Sequence, residues 1–367
     1  MENNNNLITK LKNEINSLKS ILYSKKISNF FQFKSINNQA NNINCLLLLN
    51  DKKHFASASC DKTIKIYYFF DNKFKEKLTI NEHKHFVLYL SQMKNKNILS
   101  SSHDKCIKII KLNNEFNSYE VLFNIFGHKI SVCKAFEMEF YNKKNINNNL
   151  ISCSLDKTIK IWNFIDNNYK EEFELLSENY IRDVIEINEN EIVSSFNNGI
   201  IFWDLNNKNK LCVIDNILCT PWNQILKLIL NKKFLVVGGK NLYLIQIEKH
   251  ILIKSYFIEN SVFSIKIFND MFLFTGDEKG NLLQWIIKND ENDNINLILF
   301  DKKQYAHTDG IRDLIFVNNN NFNNFNNKNN NFNNENNNFN NENNFNNNFD
   351  DFDIFSCGDD KLIKIWK

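Results

Sequence analysis

The sequence predicts an all-β fold of repeated blades, a β-propeller, and two observations carry that prediction. The first is a recurring segment: "SCDKTIKIY" from Ser59 to Tyr67, "SSHDKCIKII" from Ser101 to Ile110, "SCSLDKTIKIW" from Ser152 to Trp162 and "SCGDDKLIKIW" from Ser356 to Trp366. The second is a period. Asp61 to Asp104 spans 43 residues, Trp162 to Trp203 spans 41, and Trp203 to Trp285 spans 82, which is two periods of 41. Short alternating or apolar runs broken by polar turns, repeated at this interval, are blade text.

Composition bounds the rest. At 367 residues, with 43% hydrophobic and 24% charged residues, the chain can bury a large core. A net charge of +3 is too small for a bulk nucleic-acid binder, so nucleic acid is not expected as a direct ligand. No apolar run is long enough for a membrane span, and "MENNNNLITKLKNE" lacks the basic and apolar regions of a signal peptide. The eight cysteines form no CxxC pair and read as reduced, mostly buried thiols. A cytoplasmic protein is expected, with the nucleus as the alternative.

Residues 1–26 form the first element. From Leu7 to Lys25 the sequence reads as an amphipathic helix, with Ile8, Leu11, Ile15, Leu18 and Leu22 spaced alternately by three and four. Such a helix is too short to stand alone, so it should dock on a helical partner, pair as a short coiled coil, or pack on its own propeller. The next stretch, "ISNFFQFKSI" (Ile27 to Ile36), is strand-like and precedes the first unit.

The units then follow, and the third gives them a family likeness. "GHKISV" (Gly127 to Val132) followed by "SCSLDKTIKIWN" (Ser152 to Asn163) resembles a WD40 repeat, with its GH, Ser-x-x-x-Asp and Trp landmarks. Seven units fit, with cores near 43–70, 87–112, 132–164, 181–205, 225–247, 262–287 and 311–366. Units three and seven carry the full pattern in His128, Ser152, Asp156, Trp162 and His307, Ser356, Asp360, Trp366. Tyr67 and Ile110 stand at the Trp position of units one and two, and no His precedes unit one. Asn197 and Lys279 fall at the Asp position of units four and six, and unit five lacks both Asp and Trp. Every unit but the last is followed by a fourth strand candidate, and unit seven ends at Lys367 after its third. The stretch at 27–36 can supply the missing strand, closing a seven-bladed ring over 27–367 as the resemblance implies. Within unit seven, residues 318–349 hold 23 asparagines and six phenylalanines, and read as a disordered insertion.

His128, Ser152 and Asp156 are the residue types of a hydrolytic triad. Their recurrence as His307, Ser356 and Asp360 argues instead for a structural network repeated between blades, and the resemblance implies the same. "HKH" at His83 to His85 has no third metal ligand nearby, and His83 lies four residues before Val87 as His128 does before Val132, a structural spacing. No Gly-rich phosphate loop occurs. Catalytic residues, metals and cofactors are therefore not expected.

Binding is expected on one face. The chain's two arginines, Arg182 in "IRDVIEI" and Arg312 in "IRDLIFV", share one repeat position, which the resemblance places at the mouth of the central channel. Asn44, Leu88, Cys133, Leu226 and Phe263 are assigned to it in the other units. The turns between second and third strands carry Lys62, Lys105, Lys157, Lys240, Lys279 and Lys361 on that same face. A basic rim with arginine forks suits an acidic or phosphorylated segment. The expectation is a non-catalytic scaffold or adaptor subunit of a multiprotein complex. A G-protein β-like protein, an autophagy conjugation scaffold, an RNA-processing subunit and a propeller hydrolase are the alternatives.

Overall fold

A computed structural model describes residues 32–37, 39–70, 73–141, 149–218, 226–268, 270–289, 295–318 and 352–366. The helix expected over residues 7–25 and nearly all of the Asn-rich insertion lie outside them. Within them the chain forms twenty-eight strands in seven four-stranded antiparallel sheets. The innermost strands are β2 (Ile43–Leu48), β6 (Val87–Gln92), β10 (Val132–Glu137), β14 (Asp183–Glu186), β18 (Leu226–Ile229), β22 (Val262–Phe268) and β26 (Ile311–Asn318). Each neighbours the next around the ring, and β26 returns to β2.

Closure uses both ends of the described chain. β1 (Gln32–Ile36) pairs antiparallel with β28 (Ile363–Trp366), whose other edge carries β27 (Phe352–Gly358), so the sheet order is β1-β28-β27-β26. The fourth strand candidates of the other six units are likewise strands, at Lys73–Ile80, Tyr119–Ile125, Asn168–Leu176, Asn209–Asp215, Ile251–Phe257 and Ile295–Lys303.

Burial explains why this text folds so. Second strands such as "HFASAS", "ILSSS" and "LISCS" are buried along their whole length, and their small residues let neighbouring sheets approach closely. Seven hydrophobic clusters fill the seven interfaces between blades. Each contains the residue at one position of one third strand: Tyr67, Ile110, Trp162, Trp203, Ile245, Trp285 or Trp366. The Trp position is thus an interface position, and a large apolar side chain suffices there. Gly127 before His128 follows from the same packing, because a Cβ on it would lie 2.8 Å from the Trp162 ring at a φ of +150°.

Candidate functional site

In blade 3 a chain of polar groups ties the loop entering the blade to its turn and its core. Trp162 Nε1 donates to Ser152 Oγ (2.8 Å), Ser152 Oγ meets His128 Nε2 (2.7 Å), and His128 Nδ1 meets Asp156 Oδ2 (2.9 Å). Because a carboxylate only accepts, the Nδ1 proton faces Asp156 and Nε2 accepts from the serine. Blade 7 repeats the arrangement through Trp366, Ser356, His307 and Asp360. Blade 2 has it in Ser100, His83 and Asp104, with Ile110 in place of the tryptophan. Each serine already accepts or bridges within the core, His128 and His307 are buried, and nothing converges on a reacting atom.

Charge distribution in these networks follows from burial and pairing. Burial opposes ionisation of Asp104 and Asp156, but the hydrogen bonds from His83 and His128, and from backbone amides, win. Asp104 is held at about 2 and Asp156 lower still. At His307 burial outweighs the attraction of Asp360 and lowers the ring's pKa.

Blade 1 has no histidine four residues before β2, and Gln39 occupies that place. Its Nε2 donates to Ser57 Oγ (2.6 Å), Thr63 Oγ1 donates to its Oε1 (3.3 Å), and Asp61 accepts from the amides of Ala40 and Thr63. Sequence reading missed Gln39. The signal was its spacing, since Gln39 precedes Ile43 as His83 precedes Val87, His128 Val132 and His307 Ile311.

Because the loop histidines bond to the turn aspartates, the entering loops and the turns between second and third strands share one face, the upper face. Lys62, Lys105, Lys157, Lys240, Lys279 and Lys361 are all exposed there. Four of them hold the left-handed conformation, with φ of 75°, 70°, 73° and 66° at Lys62, Lys105, Lys157 and Lys361. In blade 6 that conformation belongs to Gly280, one residue after Lys279, and Asp277 organises the turn by accepting from the amides of Lys279 and Asn281.

Arg182 and Arg312 come together at the channel mouth. They line a cavity of about 370 Å³ with Asn42, Asn44, Phe86, Leu88 and His103 among its other walls. The innermost strands explain why this position reaches the mouth. Their register slips between Ile43 and Cys45, Val87 and Tyr89, Val132 and Lys134, Val262 and Ser264, and Ile311 and Asp313. Asn44, Leu88, Cys133, Phe263 and Arg312 are thus the extra residues of β-bulges, which re-aim a side chain. Leu226 is a correction. Its pairing with Val237 places it level with Ala135, opposite Ser152, two residues further along the strand, and its counterpart at the mouth lies outside the described residues.

The two arginines differ in engagement. Arg312 gives Nε and Nη2 to the two carboxylate oxygens of Asp359 (both 2.7 Å) and lies 5.2 Å over the Phe263 ring, so its fork is occupied within blade 7. Arg182 is half-buried and donates through Nε to Asn197 (3.2 Å). The aspartates that follow them brace adjacent blades: Asp183 accepts the Leu226 amide and Asp313 the Leu46 amide.

Sequence reading also missed an arc of exposed apolar side chains on the entering loops and the adjoining ends of the outer strands, from blade 2 round to blade 7. Phe126, Ile130, Leu176, Tyr180, Leu218, Phe257 and Tyr305 are all exposed, Phe257 at 87%. "HKH" divides. His83 turns inward, while His85 packs on Phe86 and His103 with ring centroids 4.4 Å away in each case. Among the described residues no group of three or more His, Cys, Asp or Glu could hold a metal ion, and no helix is long and apolar enough to cross a membrane.

A closed ring of seven four-stranded sheets, with a repeated Trp-Ser-His-Asp network, defines a seven-bladed β-propeller of repeat type. The family model described as "WD domain, G-beta repeat" matches residues 32–68 and 121–163, and with the seven-bladed ring it supports a WD40-repeat propeller. Both matches begin in the outer strand of one blade and end in the third strand of the next, the offset that closure by β1 requires. No curated protein matches the chain. WD40 propellers are generally protein-interaction scaffolds and typically non-catalytic.

Proposed function

We propose that the protein is a non-catalytic adaptor that captures an acidic or phosphorylated segment of a partner protein on its upper face. The observation that carries this reading is the mouth cavity, with Arg182 in its wall, six exposed turn lysines on the same face and exposed aromatic side chains beside them. Cations attract the segment over several ångströms, and the aromatic groups give it contact area. Lys157 lies 5.8 Å over the Tyr180 ring, so charge and apolar surface adjoin there. Residues 7–25, with Ile8, Leu11, Ile15, Leu18 and Leu22 on one face, would supply a second docking element for a helical partner.

Binding of acidic and phosphorylated peptides to the full chain tests the reading. A charge-assisted contact from Arg182 contributes about 1.5–3 kcal/mol, so Arg182→Ala should weaken capture at least tenfold while the thermal midpoint stays put. Raised salt should weaken it further. Capture that is indifferent to both, or a loss that tracks unfolding, would refute it.

A further inference from the structure

Below the mouth, the innermost strands set an unusual group of side chains around the channel. Tyr89, Lys134, Asp183, Lys227, Lys266, Asp313 and Cys45 come from seven different blades, and the acid-base groups among them feel one another's charge. Lys134 Nζ lies 2.7 Å from Asp183 Oδ1, and Lys266 Nζ lies 3.6 Å from Asp313 Oδ1. That leaves three amines facing two carboxylates.

The carboxylates have little capacity left. Asp183 also accepts the amides of Val184 and Leu226, and Asp313 those of Leu314 and Leu46. Burial, then neighbouring charge, raises the pKa of Cys45 and of Tyr89, so neither adds a negative charge near neutral pH. Among the described residues no group hydrogen-bonds the Lys227 amine. Its side chain is half-buried. A partly desolvated amine that shares two carboxylates with two other amines is short of counter-charge, and an anion would relieve it.

We propose that the channel binds a small free oxyanion, of the phosphate or sulfate class, between the amines of Lys227, Lys266 and Lys134. This site is separate from the upper-face reading and stands or falls without it. Burial, reinforced by Lys266 and Lys134, lowers Lys227 to about 7, so the site gains its third positive charge only as the pH falls through neutrality.

Sulfate is the probe, because its charge stays constant across the range. With the full chain at fixed ionic strength, titration calorimetry at pH 6 should show one saturable sulfate site, and at pH 9 the affinity should be at least tenfold weaker. In the Lys227→Met variant the saturable component should vanish. Wild-type protein with no saturable binding at pH 6, equal affinity at both pH values, or a variant that binds as well as wild type would each overturn the proposal. Should Lys227→Met not fold, Lys227→Gln, which keeps polarity without charge, replaces it. The wild-type comparison between pH 6 and pH 9 decides even without a variant.

Discussion

Blades 2, 3 and 7 each join a loop histidine, a strand serine and a turn aspartate, and blade 1 does the same with Gln39. On the other side of the ring the polar chain thins out. Blade 4 keeps the bond from Trp203 Nε1 to Ser194 Oγ (2.8 Å) and meets its turn through Arg182 and Asn197, blade 6 keeps Trp285 to Thr275 (3.1 Å) and joins its entering loop to its turn through Asn260 and Asp277 (3.0 Å), and blade 5 has Val237 and Ile245 in the serine and tryptophan places. All seven blades nonetheless share one strand order, so interface packing sets the backbone. The network has a different task. It pins each entering loop to the neighbouring turn, and among the described residues the mouth cavity is lined mostly from blades 1, 2, 3 and 7, with Leu155 in the blade 3 turn and Arg182 opening blade 4. A preorganised rim is what a recognition surface needs.

The largest expected effect comes from cutting the networked side at its seam. Removing residues 1–36 takes β1 from β28, exposes a strand edge and strips Ile36 from the cluster between blades 7 and 1. The truncated chain should lose its single cooperative thermal transition or its solubility, and unchanged melting would refute closure by β1.

Next in size are two exchanges of opposite sense. Asp156→Ala leaves His128 Nδ1 without its acceptor in a buried site and should destabilise by about 1–3 kcal/mol. Val237→Ser replaces a buried methyl of the apolar cluster between blades 4 and 5 with a hydroxyl and should cost a similar ~1–3 kcal/mol. Denaturant unfolding measures both. If Val237→Ser were neutral, the two halves would not differ in polarity as described.

Acid should separate the halves too. Asp104, Asp156 and Asp360 are held below their ordinary value of 3.8, so their contribution is complete above that pH and is lost as the pH falls toward about 2. His307, lowered from 6.5 by burial, takes up a proton more readily when unfolded, so stability already begins to decline below about 6.5. Hydrogen exchange between pH 7 and pH 3 should show blades 2, 3 and 7 loosening before blade 5. Uniform loosening would count against the assignment.

Much of this was legible in sequence because the fold is periodic. The seven unit cores, the fourth strands and the clasp follow from spacing and alternation, which backbone geometry imposes in every blade. Side-chain partners across the ring were not legible. Asp359 faces Arg312 only because the turn of blade 7 folds over the bulge of β26, and no local pattern announces that. Leu226 was misplaced because unit five has no landmark residue to anchor a register. Gln39 escaped notice because its type, unlike its position, departs from the repeat.

The smallest effect on stability should come with a large effect on binding, in the turn lysines. Lys62, Lys105, Lys157 and Lys361 sit at positive φ, where a side chain other than Gly, Asn or Asp is strained, and the aspartate before each lysine caps the turn. Asparagine tolerates that conformation and carries no charge. Lys157→Asn should therefore change stability by no more than about 0.5 kcal/mol. Combined with Lys62→Asn and Lys105→Asn, it removes three charges from the networked side of the rim without disturbing the loops that shape it. Lys240 and Lys279 on blades 5 and 6 provide the matched comparison. If the pinned loops of blades 1 to 3 form the recognition surface, the first set should lower the association rate and flatten its salt dependence far more than neutralising Lys240 and Lys279. Equal effects from the two sets would mean that the rim acts only through net charge, and that the division of the ring has no counterpart in binding.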